Sequence, residues 1–102
     1  MQNILAERTV TVELDGQPAT TIRVVVGWPT MVEDGEWQTP VEVHGPEAGS
    51  VSKQLTCGID AWQSVRSAFW IAVVMVETSV PSSARLTHKG EADWSVDLKR
   101  EP

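Results

Sequence analysis

Residues 60–81 read DAWQSVRSAFWIAVVMVETSVP, and within them residues 68–76, AFWIAVVMV, form an unbroken apolar run of nine. How that run folds decides the architecture. Val and Ile favour strands, so one reading breaks the segment near residue 70 and makes 70–77 a strand. The other reading is a single helix over about 60–79. The spacing favours the helix: Trp62, Val65, Phe69, Ala72, Val73, Val76 and Val80 recur with a helical period. Asp60 with Gln63 matches the capping box, in which side chains satisfy exposed N–H groups of the first turn. Pro81 ends the pattern, and the residue before a proline is biased away from helix. No Gly or Pro interrupts it.

At about 100° per residue, the first half of such a helix has a polar side of Asp60, Gln63, Ser64, Arg66 and Ser67. Its other side holds Ala61, Trp62, Val65, Ala68 and Phe69. Farther along, Trp70, Ile71 and Val74 emerge where the polar side had been, so the last turns are apolar nearly all round. A helix of that kind needs two covers. One is a sheet. The other is either the C-terminal segment folded back, or a second molecule. Burying Trp70, Ile71 and Val74 is worth roughly 5 to 8 kcal/mol at about 25 cal/mol/Å², which makes these three the candidate interface.

The rest of the chain reads as strands. RTVTVEL, residues 8–14, alternates with Val10, Val12 and Leu14 on one side. Asp15-Gly16-Gln17-Pro18 supplies a turn, and TTIRVVVGW, residues 20–28, alternates again with Ile22, Val24, Val26 and Trp28 inward. A third strand over about 36–44 carries Trp37, Thr39, Val41 and Val43 on one face; its Pro40 places it at an edge or at a bulge. A fourth, over 50–56, turns Val51 and Leu55 inward. After the helix, Arg85–His88 and Asp93–Leu98 make a short hairpin. The expectation is one α+β domain over residues 1–102: a four-stranded antiparallel meander, one long helix on one face, then a C-terminal β-hairpin.

The bulk properties narrow the function. The chain has 102 residues, 14 acidic and 8 basic side chains, and a net charge of −6. Nucleic-acid binding needs clustered Lys and Arg, and the basic residues are scattered, so no nucleic acid is expected. Attraction of a basic protein partner fits the sign of the charge. The single cysteine, Cys57, rules out an intramolecular disulfide. The apolar run is about half of a membrane span, and MQNILAERTV lacks the layout of a signal peptide. The expectation is a cytoplasmic protein with no membrane contact.

Chemistry-bearing patterns are sparse. Cys57 stands near the helix start, where the dipole lowers a thiol pKa, but nothing in the sequence links it to His44 or His88. Two histidines and scattered carboxylates give no ligand spacing, so no metal, cofactor or catalytic residue is expected. The five tryptophans suit one core cluster. A sharper reading sets Trp28 and Trp37 beside the 29–36 loop and, with Asp60, at the rim of a groove between helix and sheet.

EWQTPVEVHG followed by CGIDAWQSVRSAF, with ERTVTVELDGQP ahead of them, resembles a family of small bacterial proteins of unknown function. Its marks are an aromatic strand with a following proline and a Gly-x-Asp-x-x-Gln helix start. The resemblance implies a bacterial cytosolic source and an α+β fold, and brings no activity. The expected function is a non-catalytic protein-binding module, of an immunity or antitoxin type, with a homodimer or a basic protein as partner. The alternative is a small-molecule-binding or enzymatic domain with its pocket at Trp28, Trp37 and Asp60.

Overall fold

Alternating apolar residues form the first hairpin in the computed structural model, which describes residues 3–90 and 94–95. Strand β1, Ile4–Glu13, pairs antiparallel with β2, Thr20–Gly27, setting Val10 opposite Ile22 and Arg8 opposite Val24. The turn between them uses Gly16 at a positive φ of 78°, a conformation that glycine adopts without steric penalty. Strands β3, Thr30–Met31, β4, Trp37–His44, and β5, Val51–Gly58, follow. Helix α1 spans Ala61–Thr78 and strand β6 spans Arg85–Thr87.

All the described strands join one antiparallel sheet. The expected meander is present as β1–β2–β4–β5. Two additions alter the strand count and order. Strand β3 pairs with the start of β4, and β6 pairs with the outer side of β1, Leu86 opposite Val12. The first strand of the expected C-terminal hairpin therefore joins the sheet beside β1. Of its second strand, only Trp94 and Ser95 lie among the described residues, and they form a turn.

Pro40 corrects a second expectation. Strand β4 is interior, between β2 and β5. On the β2 side the ladder covers Val41–His44 and β3 resumes it at Trp37–Gln38, so Pro40 lies opposite a break. A residue without an N–H is tolerated where the ladder is interrupted.

Register fixes which side chains face the helix. Thr39 is opposite Thr56 and Val41 opposite Gln54. Thr39, Val41 and Val43 are buried, so the even-numbered residues of β5 share their face. Val51 and Leu55 consequently point to the other, open face and are exposed, contrary to the inward placement read from the sequence. β5 alternates only weakly, and its neighbour's register decides its faces.

The long-helix reading holds, and the strand reading of 70–77 does not. The Asp60 carboxylate accepts from the Gln63 N–H at 2.8 Å, and the Gln63 side chain accepts from the Ile59 N–H at 2.8 Å. The helix keeps Ala68, Ala72, Val73 and Val76 on the sheet side as expected and departs from the expected stripe in its first turn, where Ser64 is buried and Trp62 exposed. Its buried residues are Ser64, Ala68, Ala72, Val73 and Val76. Ser64, read from sequence as polar-side, is fully buried with its hydroxyl hydrogen-bonded to that of Thr39. Thr56 donates to the Ser64 carbonyl at 2.8 Å and to the Thr39 carbonyl at 3.2 Å. Small side chains at i, i+4 and i+8 allow close approach to the sheet, and paired hydroxyls remove the penalty of burying Ser64. Gly58 completes the joint, since a Cβ there would stand 2.6 Å from the Ser64 backbone nitrogen.

One core results: Val10, Val12, Ile22, Val24, Val26, Val41 and Val43 from the sheet, Ala68, Ala72, Val73 and Val76 from α1, and Trp94. The tryptophans do not cluster there. Trp94 alone is a core residue, while Trp28, Trp62 and Trp70 are exposed.

Candidate functional site

Setting Ser64 and Ala68 against the sheet leaves Trp62 exposed and Val65 and Phe69 only partly buried. Ala61, Trp62, Val65, Arg66 and Phe69 line an open groove of about 440 Å³ along one flank of α1. Trp62 is 79% exposed and Ile59, just before the helix, is 82% exposed. Phe69 also walls a cleft of about 70 Å³, where it and Ala72 face Ala6, Glu7, Arg8, Val24 and Val26 of the sheet. The groove thus runs from the exposed helix start toward the seam between α1 and the β1–β2 hairpin. Its walls are apolar. Arg66 is the one ionisable side chain among the lining residues of the larger space.

The residues singled out from sequence fall into two places. Trp28 follows the end of β2, its N–H donating to the Asn3 carbonyl at 3.2 Å. Trp37 starts β4 opposite both Met31 and Gly58. Asp60 is occupied in capping the helix. None of these three lines the groove beside α1. Trp70 is 45% exposed, and Ile71 and Val74 are half-buried, Ile71 against the core. The described part of the C-terminal segment reaches the sheet at β1, where the Arg8 guanidinium donates to the Trp94 carbonyl at 2.5 Å.

Trp62, Val65 and Phe69 were legible as an apolar stripe facing the sheet; Phe69 does pack against the core and Val65 is half-buried, while Trp62 lies exposed. The signal for the position of Trp62 is the i, i+4 series Ser64-Ala68-Ala72. A stripe of small residues beside one of large residues places the small ones where backbones approach.

Cys57 lies on the open face of β5, exposed. Its thiol pKa is raised, by local desolvation first and then by the Glu36 and Asp34 carboxylates. A raised pKa leaves less thiolate at neutral pH, the reverse of the activation a helix start would give. His44 bonds Glu42 at 2.9 Å, at the end of β4 remote from Cys57. Cys57 is opposite Gln38, and His44 lies six residue steps along β4 from Gln38, about 20 Å. His88 bonds the Thr9 carbonyl at 3.0 Å on the other edge of the sheet. No cysteine–histidine pair forms. Among the described residues, no group of three or more His, Cys, Asp or Glu is placed to hold a metal ion, and no helix is long and apolar enough to cross a membrane.

An α+β domain with an apolar, open groove beside its helix is the class these features define. Residues 6–98 match the family described as a domain of unknown function (DUF6968), and the chain belongs to that family. No curated protein and no solved structure matches it.

Proposed function

We propose that the domain is a non-catalytic protein-binding module whose contact surface is the groove along the first turns of α1. The observation that carries this reading is Trp62, 79% exposed on the wall of an apolar groove. A large apolar side chain held in water is a standing liability unless something covers it, and Trp is the residue most enriched among binding hot spots. Trp62 contributes no burial to the core, so folding does not explain it. The net charge of −6 favours a basic partner through long-range attraction, as an immunity or antitoxin-type protein would require. The bacterial and cytoplasmic setting expected from the sequence belongs to this same reading.

A small-molecule ligand is the second reading. A space of about 440 Å³ lies within the range of ligand pockets, roughly 300 to 1,000 Å³. Its open form and single ionisable lining residue favour a protein segment over a small polar substrate.

Capture from a lysate of the source organism tests the proposal. The wild-type chain is expected to recover a stoichiometric basic protein, and Trp62→Ala to lose it with an unchanged circular dichroism spectrum. Recovery of the chain alone, or of a partner that Trp62→Ala still retains, would overturn it.

A further inference from the structure

We infer that two copies of this chain join edge to edge through β5, across a two-fold axis that also brings their α1 helices side by side. Among the described residues, strand β5 is the outermost strand on its side of the sheet, and Val51–Leu55 and Cys57 are all exposed. An edge strand offers a row of unpaired N–H and C=O groups, and proteins guard such edges with prolines, several charges, bulges or shortness. Among the described strands the one at the other end of the sheet, β6, is three residues long. β5 has eight residues, VSKQLTCG, with no proline and one charge. That charge, Lys53, has the carboxylate residue Glu42 opposite it within the same chain.

The helix extends the same edge upward. It follows β5 through the short link Ile59–Asp60 and packs over β4 and β5, so it runs back along the strand. Eighteen residues of helix span about 27 Å and eight of strand about 26 Å, so the two layers end together. Phe69 and Ala72 face the β1–β2 side, and Ser64 meets Thr56 of β5. Continuing round the helix from Ser64, away from Phe69, come Ile71, Ser67 and Val74, with Trp70 on the crest. None of these is charged.

A second copy fits this edge better than a basic partner does. Strand β5 presents Lys53 as its one charge, and the helix flank is uncharged along Ile71, Ser67, Val74 and Trp70, its acidic residues Asp60 and Glu77 lying at the two ends, so an oppositely charged protein finds little to pair with along the centre of the edge. In an antiparallel match that sets Leu55 against the Leu55 of the second copy, Lys53 faces Cys57 and Val51 faces Ile59. No like charges meet, and cross-strand neighbours on the open face are largely apolar. The two-layer edge measures roughly 26 Å by 20 Å in projection, about 500 Å² before side-chain relief is counted. That approaches the ≈ 800 Å² per partner of a standard interface.

Sedimentation velocity across the micromolar range tests this, with Leu55→Lys as the disrupting variant and Trp62→Ala as the control. Leu55 is 53% exposed, so a lysine there leaves the monomer fold intact and sets two cations face to face. Wild type is expected at twice the 11.2 kDa chain mass, Leu55→Lys at a two-fold lower mass, and Trp62→Ala still at the doubled mass. In a Cys57→Ser background, Leu55→Cys is expected to form a covalent dimer on mild oxidation. A wild-type mass of one chain at every concentration would overturn the inference. So would a doubled mass that Leu55→Lys leaves intact and Trp62→Ala halves. The control separates this surface from the groove, since each can fail alone.

Discussion

Ser64 and Trp62 exchange the roles that their chemistry suggests. Ser64 is buried because Thr39 bonds its hydroxyl and Thr56 its carbonyl, and because a small side chain suits the closest approach of helix to sheet. Ser64→Ala keeps the size but leaves the buried Thr39 hydroxyl without this partner, a loss of about 1 to 3 kcal/mol. Urea denaturation is expected to show that loss, with an unchanged slope. Trp62→Ala, made at an exposed site, is expected to stay within about 0.5 kcal/mol of wild type in the same experiment. Equal losses for the two variants would mean that the helix faces are misassigned. At Cys57, the raised thiol pKa predicts slower alkylation by iodoacetamide at neutral pH than for free cysteine. Glu36→Gln removes one of the raising charges, so it is expected to speed the reaction. A rate matching that of free cysteine would contradict the assigned environment.

The joint between β5 and α1 sets the rotation of the helix, and it explains what the sequence showed and what it hid. The helix ends were legible, since Asp60, Gln63 and Pro81 act locally. The first hairpin was legible too, from strict alternation on both sides of a Gly-containing turn. The sheet-facing side of α1 was legible at Ala68, Ala72, Val73 and Val76; the burial of Ser64 in place of Trp62 in the first turn was hidden, because the apolar and small-residue stripes are adjacent and hydropathy favours the larger residues. What selects the small stripe is non-local: Thr39 and Thr56 on two other strands, and the tight packing at Gly58. The open-face placement of Val51 and Leu55 was hidden for the same kind of reason, as β5 takes its faces from β4. Gly58→Ala tests the joint. Its new Cβ would meet the Ser64 nitrogen at 2.6 Å and the Gln63 carbonyl carbon at 3.0 Å, both backbone atoms that cannot rotate away. Overpacking of this kind typically costs 1 to 3 kcal/mol, and a melting temperature equal to that of wild type would remove Gly58 from the account.

Among the described residues, one face of the sheet lies under α1 and Trp94, and the exposed large apolar residues are Trp28 and Met31 beyond the end of β2, Val51 and Leu55 on β5, and Ile59, Trp62 and Trp70 before and along the helix. Trp94 joins the C-terminal segment to the core through burial and through the Arg8 bond to its carbonyl. Trp94→Ala is expected to cost about 3 to 5 kcal/mol, a large share of the roughly 5 to 15 kcal/mol that holds a domain folded; calorimetry would read it as a deep drop in melting temperature. Family membership adds no chemistry, so the candidate groove rests on geometry, and its position depends on which way α1 is turned. The most direct test is the relaxation that a soluble paramagnetic probe induces at the five indole N–H resonances, assigned by Trp-to-Phe replacement. Trp62 is expected to relax most strongly and Trp94 hardly at all. A shielded Trp62 indole would mean that the helix presents its large residues to the sheet, and the groove would be gone.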